Sequence, residues 1–280
     1  MHTVRQISHQ DPRGPAPEGG PGWASVLYAI AFMGRLDHRV VLVTGATSGI
    51  GQAIARRCAL EGARVLATGR NEDRLAELCR ESASVTAFPA DLAAAGAADA
   101  CVAAAESNYG QLDGMLHAAG IVRRQEDIRD TTDDQWARMM TVNLDASFRL
   151  ARACLRVMAP RRSGSVVLVG SQLAHVAAPG YASYCASKGG TEALVRALAV
   201  DFGPSGVRVN SLTPGLVHTP LAYVDRPDFD DQVEAIAARI PLRRIGQPED
   251  MAGPAVFLLS DESSWMTGQS LVVDGGYTIQ

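Results

Sequence analysis

The sequence predicts an α/β fold: one doubly wound parallel sheet with helices on both faces. Three observations predict it. Short apolar runs alternate with longer helical patterns from Arg39 onward, an order that gives parallel pairing through right-handed crossovers. The runs are apolar along their length, as strands covered on both faces must be. A glycine-rich turn, Thr44 to Gly51, joins the first run to the first helical pattern, and such turns bind anions.

Residues 1–33 read as a loose N-terminal extension. Asp11 to Gly22 holds four prolines and four glycines, a composition that resists packing. Trp23 to Met33 is mostly apolar but spans only 11 residues. The stretch ahead of it is too long and too rich in Pro and Gly for an ordinary signal peptide, and Met33 is a candidate start. Residues 34–280 read as a single domain. Its expected strands are Arg39–Val43, Arg64–Thr68, Ser84–Phe88, Gly114–Ala118, Ser165–Val169, Val207–Ser211 and Ser270–Val273. Each is a short apolar or β-branched run bounded by polar, Gly or Pro residues. Between them, Gly49–Leu60, Asn71–Glu81, Ala95–Asn108 and Pro248–Leu259 carry helical spacing, and one long helix is expected over Thr132–Ala159. The segment Leu216 to Ile240 reads as looser chain ending at Pro241.

Composition removes several functions. The chain has 280 residues, 47% of them apolar, and a net charge of −4 with Lys and Arg spread along it; there is no nucleic-acid footprint. Apolar stretches fall well short of the ~20 residues of a membrane span. The five cysteines, Cys58, Cys79, Cys101, Cys154 and Cys185, form no CxxC pair and read as reduced thiols of a cytoplasmic protein. The six histidines form no HExxH or Cys/His cluster, so no metal site is expected.

The turn Thr44-Gly45-Ala46-Thr47-Ser48-Gly49-Ile50-Gly51 lets the chain bend tightly and lets a pyrophosphate approach the backbone. The helix it opens offers free N–H groups and a positive dipole end. Its spacing is GxxxGxG rather than the GxGxxG of the usual dinucleotide fingerprint. The second strand ends at Gly69-Arg70 with no acidic residue to bond a ribose 2′-hydroxyl. Gly69 leaves room and Arg70 brings a guanidinium, which fits a 2′-phosphate. NADP(H) is therefore the expected cofactor, with NAD(H) as the alternative.

Tyr184-Cys185-Ala186-Ser187-Lys188 places a phenol and an ammonium four residues apart, on one face of a helix. A free phenol titrates near pH ~10, too high for a base at neutral pH. A close cation favours the phenolate, so Lys188 is expected to lower the Tyr184 pKa and poise it for proton transfer. Cys185 is expected to point off that face as a buried thiol.

Together these motifs resemble the single-domain short-chain dehydrogenase/reductase family, a Rossmann-like fold, over roughly residues 36–278. The resemblance rests on TGATSGIG at 44–51, Asp91-Leu92, HAAG at 117–120, Asn143, Ser171, YCASK at 184–188 and Pro214-Gly215. It implies that Tyr184 is a general acid/base, that Lys188 lowers its pKa and holds the nicotinamide ribose, and that Ser171 bonds the substrate oxygen. Asn143 resembles an anchor for a proton-relaying water chain. Asp91, with Leu92 beside it, resembles the adenine contact, and Val217 and Thr219 resemble positions that meet the nicotinamide carboxamide. The chain departs from the family's NNAG at His117-Ala118-Ala119-Gly120. Any cofactor contact at Ala118 must then come from backbone, and His117 is expected to be a packed, satisfied strand histidine.

The resemblance implies hydride transfer between nicotinamide and a carbonyl or alcohol, read here as an NADP(H)-preferring carbonyl or 3-oxoacyl reductase. An NAD-dependent sugar, sugar-acid or alcohol dehydrogenase is the alternative. A non-catalytic dinucleotide sensor is a third reading, disfavoured because all four catalytic positions are filled. Loop Gln172 to Gly180, with His175 as its one candidate substrate contact, and segment Leu216 to Ile240 are expected to shape the pocket. A homotetramer is implied by the family alone.

Overall fold

Seven parallel strands, in the order β3-β2-β1-β4-β5-β6-β7, carry everything else. They are β1 Val40–Thr44, β2 Arg64–Gly69, β3 Val85–Pro89, β4 Gly114–His117, β5 Gly164–Val169, β6 Val207–Pro214 and β7 Ser270–Val273. The computed structural model describes residues 34–124, 127–224 and 228–280. Gly34–Gln280 forms one compact unit; the expected extension, 1–33, lies outside the described residues.

The apolar runs are apolar because successive side chains serve two cores. Val40, Leu42, Leu66, Met115 and Val166 face one side of the sheet. Val41, Val43, Val65, Leu116 and Val167 face the other. The first core is closed by α3 Ala97–Tyr109, α5 Ala146–Met158 and α6 Ala182–Phe202. The second is closed by α1 Gly49–Leu60, α2 Glu72–Glu81 and α8 Pro248–Leu259. Burying a Leu or Val side chain contributes about 1.5–3 kcal/mol, so the pattern of period two decides the layering.

Strand order reverses between β1 and β4, which pair in register with Thr44 opposite His117. A crevice therefore opens at the carboxyl ends of these two strands. Helix α1 starts there, directly after the glycine turn.

Three expectations change. The long helix over Thr132–Ala159 divides into α4 Asp133–Met140, a π-helical turn Thr141–Asp145, and α5. The extra residue in that turn is accommodated around Asn143, and single π turns often mark functional positions. Strand β6 runs on to Pro214, fully buried over its last four residues, so it delivers its loop to the crevice. The looser segment contains a 3-10 turn, Pro220–Tyr223, and a helix α7, Phe229–Ala237. Phe229 is fully buried and packs with Ile240 and Ile245 in a small third core, which lets a polar stretch stay helical. Helix ends are also specified locally: Asn71 accepts the Arg74 N–H at 3.0 Å, and Thr132 and Gln135 form a reciprocal capping box.

Two glycines give opposite expectations. A Cβ on Gly51 would lie 2.3 Å from the Gly45 carbonyl oxygen, whereas one on Gly189, inside α6, meets nothing within 4 Å. Gly51→Ala is expected to lower the unfolding free energy by about 1–3 kcal/mol, and Gly189→Ala to raise it by about 0.5–1 kcal/mol. Urea unfolding of the two variants checks the pair; a stabilised Gly51→Ala contradicts this account of the turn.

Candidate active site

The glycine turn is a cradle with no room for side chains. Gly45 and Gly49 take positive φ values of 67° and 52°. A Cβ on Gly45 would lie 2.8 Å from the Ala119 backbone nitrogen, and one on Gly49 3.0 Å from the Thr219 methyl carbon. Ser48 stands at the N-cap of α1 in extended backbone, with no side-chain cap and no acidic residue in the first turn. The first N–H groups of α1 thus remain free for an anion. These features fit a dinucleotide pyrophosphate.

At the end of β2, Arg70 is exposed and makes no ion pair among the described residues. The space beside Gly69 is filled: a Cβ there would lie 2.5 Å from the Thr47 methyl carbon. Gly69 therefore serves the packing of the turn rather than leaving room for a ligand. Asp91 is exposed, and one carboxylate oxygen accepts the Ala93 N–H at 3.0 Å. Leu92 is 7% exposed and belongs to the first core; its side chain faces the sheet, so any contact with adenine must be made by its backbone.

A cleft of about 280 Å³ opens next to the turn. Ile50, Ala118, Val217 and Thr219 line one part of it. Ser171, Tyr184 and Lys188 line another. Tyr184 stands in the first turn of α6, two residues past its start at Ala182. Ser171 follows β5, caps a 3-10 turn by accepting the Leu173 N–H at 3.1 Å, and lies close enough to Tyr184 to favour its phenolate. Lys188 lies one helical turn after Tyr184, with Nζ 5.9 Å from its ring centroid. That ammonium donates to the Val169 carbonyl at 2.7 Å.

The electrostatics correct the sequence expectation. Burial pushes the Tyr184 phenol up to about 12, with the Ser171 hydrogen bond acting the other way. Burial likewise pulls the Lys188 ammonium down to about 8, against a raising influence from Glu192. In the protein without a dinucleotide, the cost of burying a phenolate outweighs the Ser171 hydrogen bond, so Tyr184 stays a neutral phenol. At neutral pH the pair is a neutral phenol beside a cation: a poised proton donor.

Asn143 is buried behind the cleft. Its amide exchanges two hydrogen bonds with the Ile121 backbone, at 2.8 and 2.9 Å, and donates to Ser187 Oγ at 3.1 Å. A Cβ on Gly120 would sit 3.2 Å from the Asn143 Oδ1 and 3.9 Å from the Lys188 Nζ, so both converge on that glycine. His117 is only half satisfied, unlike the expectation. Its Nδ1 bonds Thr44 Oγ1 at 2.7 Å, while its buried Nε2 has no partner among the described residues. Burial lowers its pKa to about 3 and keeps the ring neutral. Cys185 is half-buried and off the cleft, and His175 is exposed and off it too. All five cysteines are free. Among the described residues no cluster of His, Cys, Asp or Glu could hold a metal, and no helix is long and apolar enough to cross a membrane.

Three residues escaped the sequence reading. Glu192 is 3% exposed, one turn beyond Lys188, and accepts Ser211 and Thr213 hydroxyls at 2.8 Å each as well as that of Ser270. Its spacing from Lys188 was the available signal. Gln172 carries a buried Oε1 without a partner among the described residues and lines the cleft. Arg239 lines it as well; nothing local in sequence marks it.

The depressed Lys188 pKa has a stability consequence. Its folded value lies below the ordinary one, so the buried charge costs stability at neutral pH, and that cost is relieved as pH rises from about 8 to 10.5. Lys188→Met is expected to melt at or above the wild-type temperature at neutral pH, with the difference shrinking across that window. A markedly lower melting temperature contradicts it.

Comparison with known proteins agrees with this geometry. A family model described as enoyl-(acyl carrier protein) reductase matches residues 45–278. The D-threitol dehydrogenase of Mycolicibacterium smegmatis is 36% identical over 258 residues, 90% of this chain and 97% of that protein. Human dehydrogenase/reductase SDR family member 4 is 35% identical over 261 residues, 91% of this chain and 94% of that protein. The crystal structure of a putative NAD(P)-dependent gluconate 5-dehydrogenase from Beutenbergia cavernae, with bound NADP at low occupancy, superposes with a TM-score of 0.82 at 39% identity, covering 88% of this chain and 98% of that one. The chain belongs to the short-chain dehydrogenase/reductase family and is an NAD(P)-dependent oxidoreductase acting on alcohol or carbonyl groups.

Proposed function

We propose that the chain is an NADP(H)-preferring carbonyl reductase in which Tyr184 is the general acid/base. The observation that carries this reading is that Ser171, Tyr184 and Lys188 share one cleft with Ile50 of the glycine turn. The bound dinucleotide supplies or accepts the hydride. The chain's own groups do the rest. In the reducing direction the neutral Tyr184 phenol gives its proton to the developing alkoxide, while Ser171 bonds and stabilises that oxygen. Lys188, charged at neutral pH, stabilises the phenolate left behind and holds the ribose. Asn143, converging with Lys188 on Gly120, supports a water path that returns the proton. The N–H groups at the start of α1, with Gly45, Ser48, Gly49, Ile50 and Gly51, hold the pyrophosphate. Asp91 and the Leu92 backbone meet adenine, Ala118 backs the ribose side, and Val217 and Thr219 meet the carboxamide.

The preference for NADP(H) rests on the free Arg70 guanidinium and the lack of an acidic residue after β2. The name of the gluconate dehydrogenase relative, with NADP in its structure, supports it. That name and that of the D-threitol dehydrogenase favour a second reading, an NAD(P)-dependent sugar, sugar-acid or alcohol dehydrogenase. A cytoplasmic homotetramer belongs to the same proposal. Exposed Phe148 on α5 and Val200 on α6, 43% and 77% exposed, support an assembly that covers them.

Two measurements follow. Tyr184→Phe is expected to lower kcat by about 100-fold or more, read by nicotinamide absorbance; an unchanged kcat ends the assignment. Arg70→Glu is expected to cut kcat/KM for NADPH by about tenfold or more while NADH is spared, since a bidentate phosphate contact becomes a repulsion. Equal effects on both cofactors place the 2′-phosphate elsewhere.

A further inference from the structure

The cleft is lined by a charged side chain that the proposed reaction does not use, that of Arg239. Among its described lining residues two carry a formal charge, Lys188 and Arg239, and both are cationic. Lys188 is committed to the Val169 carbonyl. Arg239 makes no ion pair among the described residues. It sits two residues beyond α7, where its backbone N–H bonds the Ile236 carbonyl at 3.0 Å.

Arg239 is held in place without being neutralised. Its guanidinium carbon lies 5.6 Å from the Tyr277 ring centroid, and Nη2 donates to the Tyr277 hydroxyl at 3.3 Å. Its backbone carbonyl accepts the Gln280 side-chain amide. Tyr277 lines the same cleft. Arg239 is exposed at the cleft, and a guanidinium resting beside a ring keeps its remaining N–H donors for a planar anion. The same cleft is lined by the aliphatic side chains of Leu173, Leu216, Leu221, Val224 and Ile236. The pocket is also small, near the lower end of the ~300–1,000 Å³ typical of ligand sites.

We infer that Arg239 is a specificity-determining residue that binds the carboxylate of a small aliphatic oxo or hydroxy acid, whose reacting carbon lies at Ser171 and Tyr184. The inference rests on the carbonyl/alcohol reading of the site and names its substrate class. It favours a free acid over a thioester, because a thioester brings no charge to Arg239. The chemistry balances as in the proposed reaction: the C=O of the oxo acid gains hydride from NADPH at carbon and a proton from Tyr184 at oxygen. The carboxylate at Arg239 is unchanged throughout.

The test compares oxo acids of increasing chain length, 4-oxopentanoate, 5-oxohexanoate and 7-oxooctanoate, with their methyl esters, which differ only in the charge. Wild type is expected to prefer the best acid over its ester by about tenfold or more in kcat/KM, the scale of one charge-assisted contact. Arg239→Met is expected to abolish that preference, chiefly through KM for the acid, and Arg239→Lys to retain part of it. Esters or acyl thioesters used as well as acids by wild type, or a preference that survives Arg239→Met, overturn the inference. A binding arm separates this from failure of the hydride-transfer reading. With NADP⁺ present, hexanoate is expected to raise the melting temperature of wild type but not of Arg239→Met. If it does so while neither series is turned over, the reductase reading fails and the carboxylate site stands. If hexanoate acts on both alike, or on neither, the site falls.

Discussion

One hydrogen bond, from the Lys188 ammonium to the Val169 carbonyl at 2.7 Å, ties the helix that carries Tyr184 to the strand end that carries Ser171. Tyr184 lies one helical turn before Lys188, and Ser171 two residues after Val169. Fixing that single contact therefore brings the phenol and the hydroxyl to the same cleft, close enough for Ser171 to act on the Tyr184 pKa. The same contact explains why Lys188 tolerates burial at 6% exposure: a buried ammonium must be hydrogen-bonded. Glu192, one turn further along α6 and anchored by hydroxyls of β6 and β7, adds a fixed opposite charge on the same side.

This arrangement separates two tasks that the sequence pattern appeared to merge. The protein by itself holds the phenol protonated and the amine cationic at neutral pH. It does not by itself make an acidic phenol, because burial raises the phenol above its ordinary range. If Tyr184 is the proposed general base, the lowered pKa that the oxidising direction requires would come from charge that arrives with the nicotinamide. That places the regulation of proton transfer in the binding step, and it keeps the unliganded site in its lower-energy, neutral-phenol form.

Much of the fold was legible because the two signals that specify it are local. Helices α1 and α8 and strand β7 fall on the expected boundaries, which Gly, Pro and apolar runs mark. The π turn at Asn143 was not legible, since nothing in Thr132–Ala159 interrupts helical spacing; the break answers a tertiary demand, the paired bonds between Asn143 and Ile121. Helix α7 was missed because Phe229 supplies its only fully buried anchor. Within the site, Tyr184 and Lys188 stood out from their spacing, and Ser171 from the family resemblance. The side-chain direction of Leu92, the packing of Thr47 against Gly69 and the orphaned Nε2 of His117 were not, because each depends on what a neighbouring strand or turn brings near. Arg239 belongs to the same class: only helix α7 and the residues after it, with Tyr277 from the chain's end, bring an ordinary arginine to the cleft.

The most direct test of the account is the ionisation of the Tyr184 phenol, followed by NMR of ring-labelled tyrosine with Tyr184→Phe as the assignment control. The protein alone is expected to titrate near 12 at this position, and saturation with NADP⁺ to bring the value down by about 2 units or more. A phenol already near neutrality without the dinucleotide, or one that does not move when it binds, contradicts the claim that burial sets the resting state and the bound charge releases it.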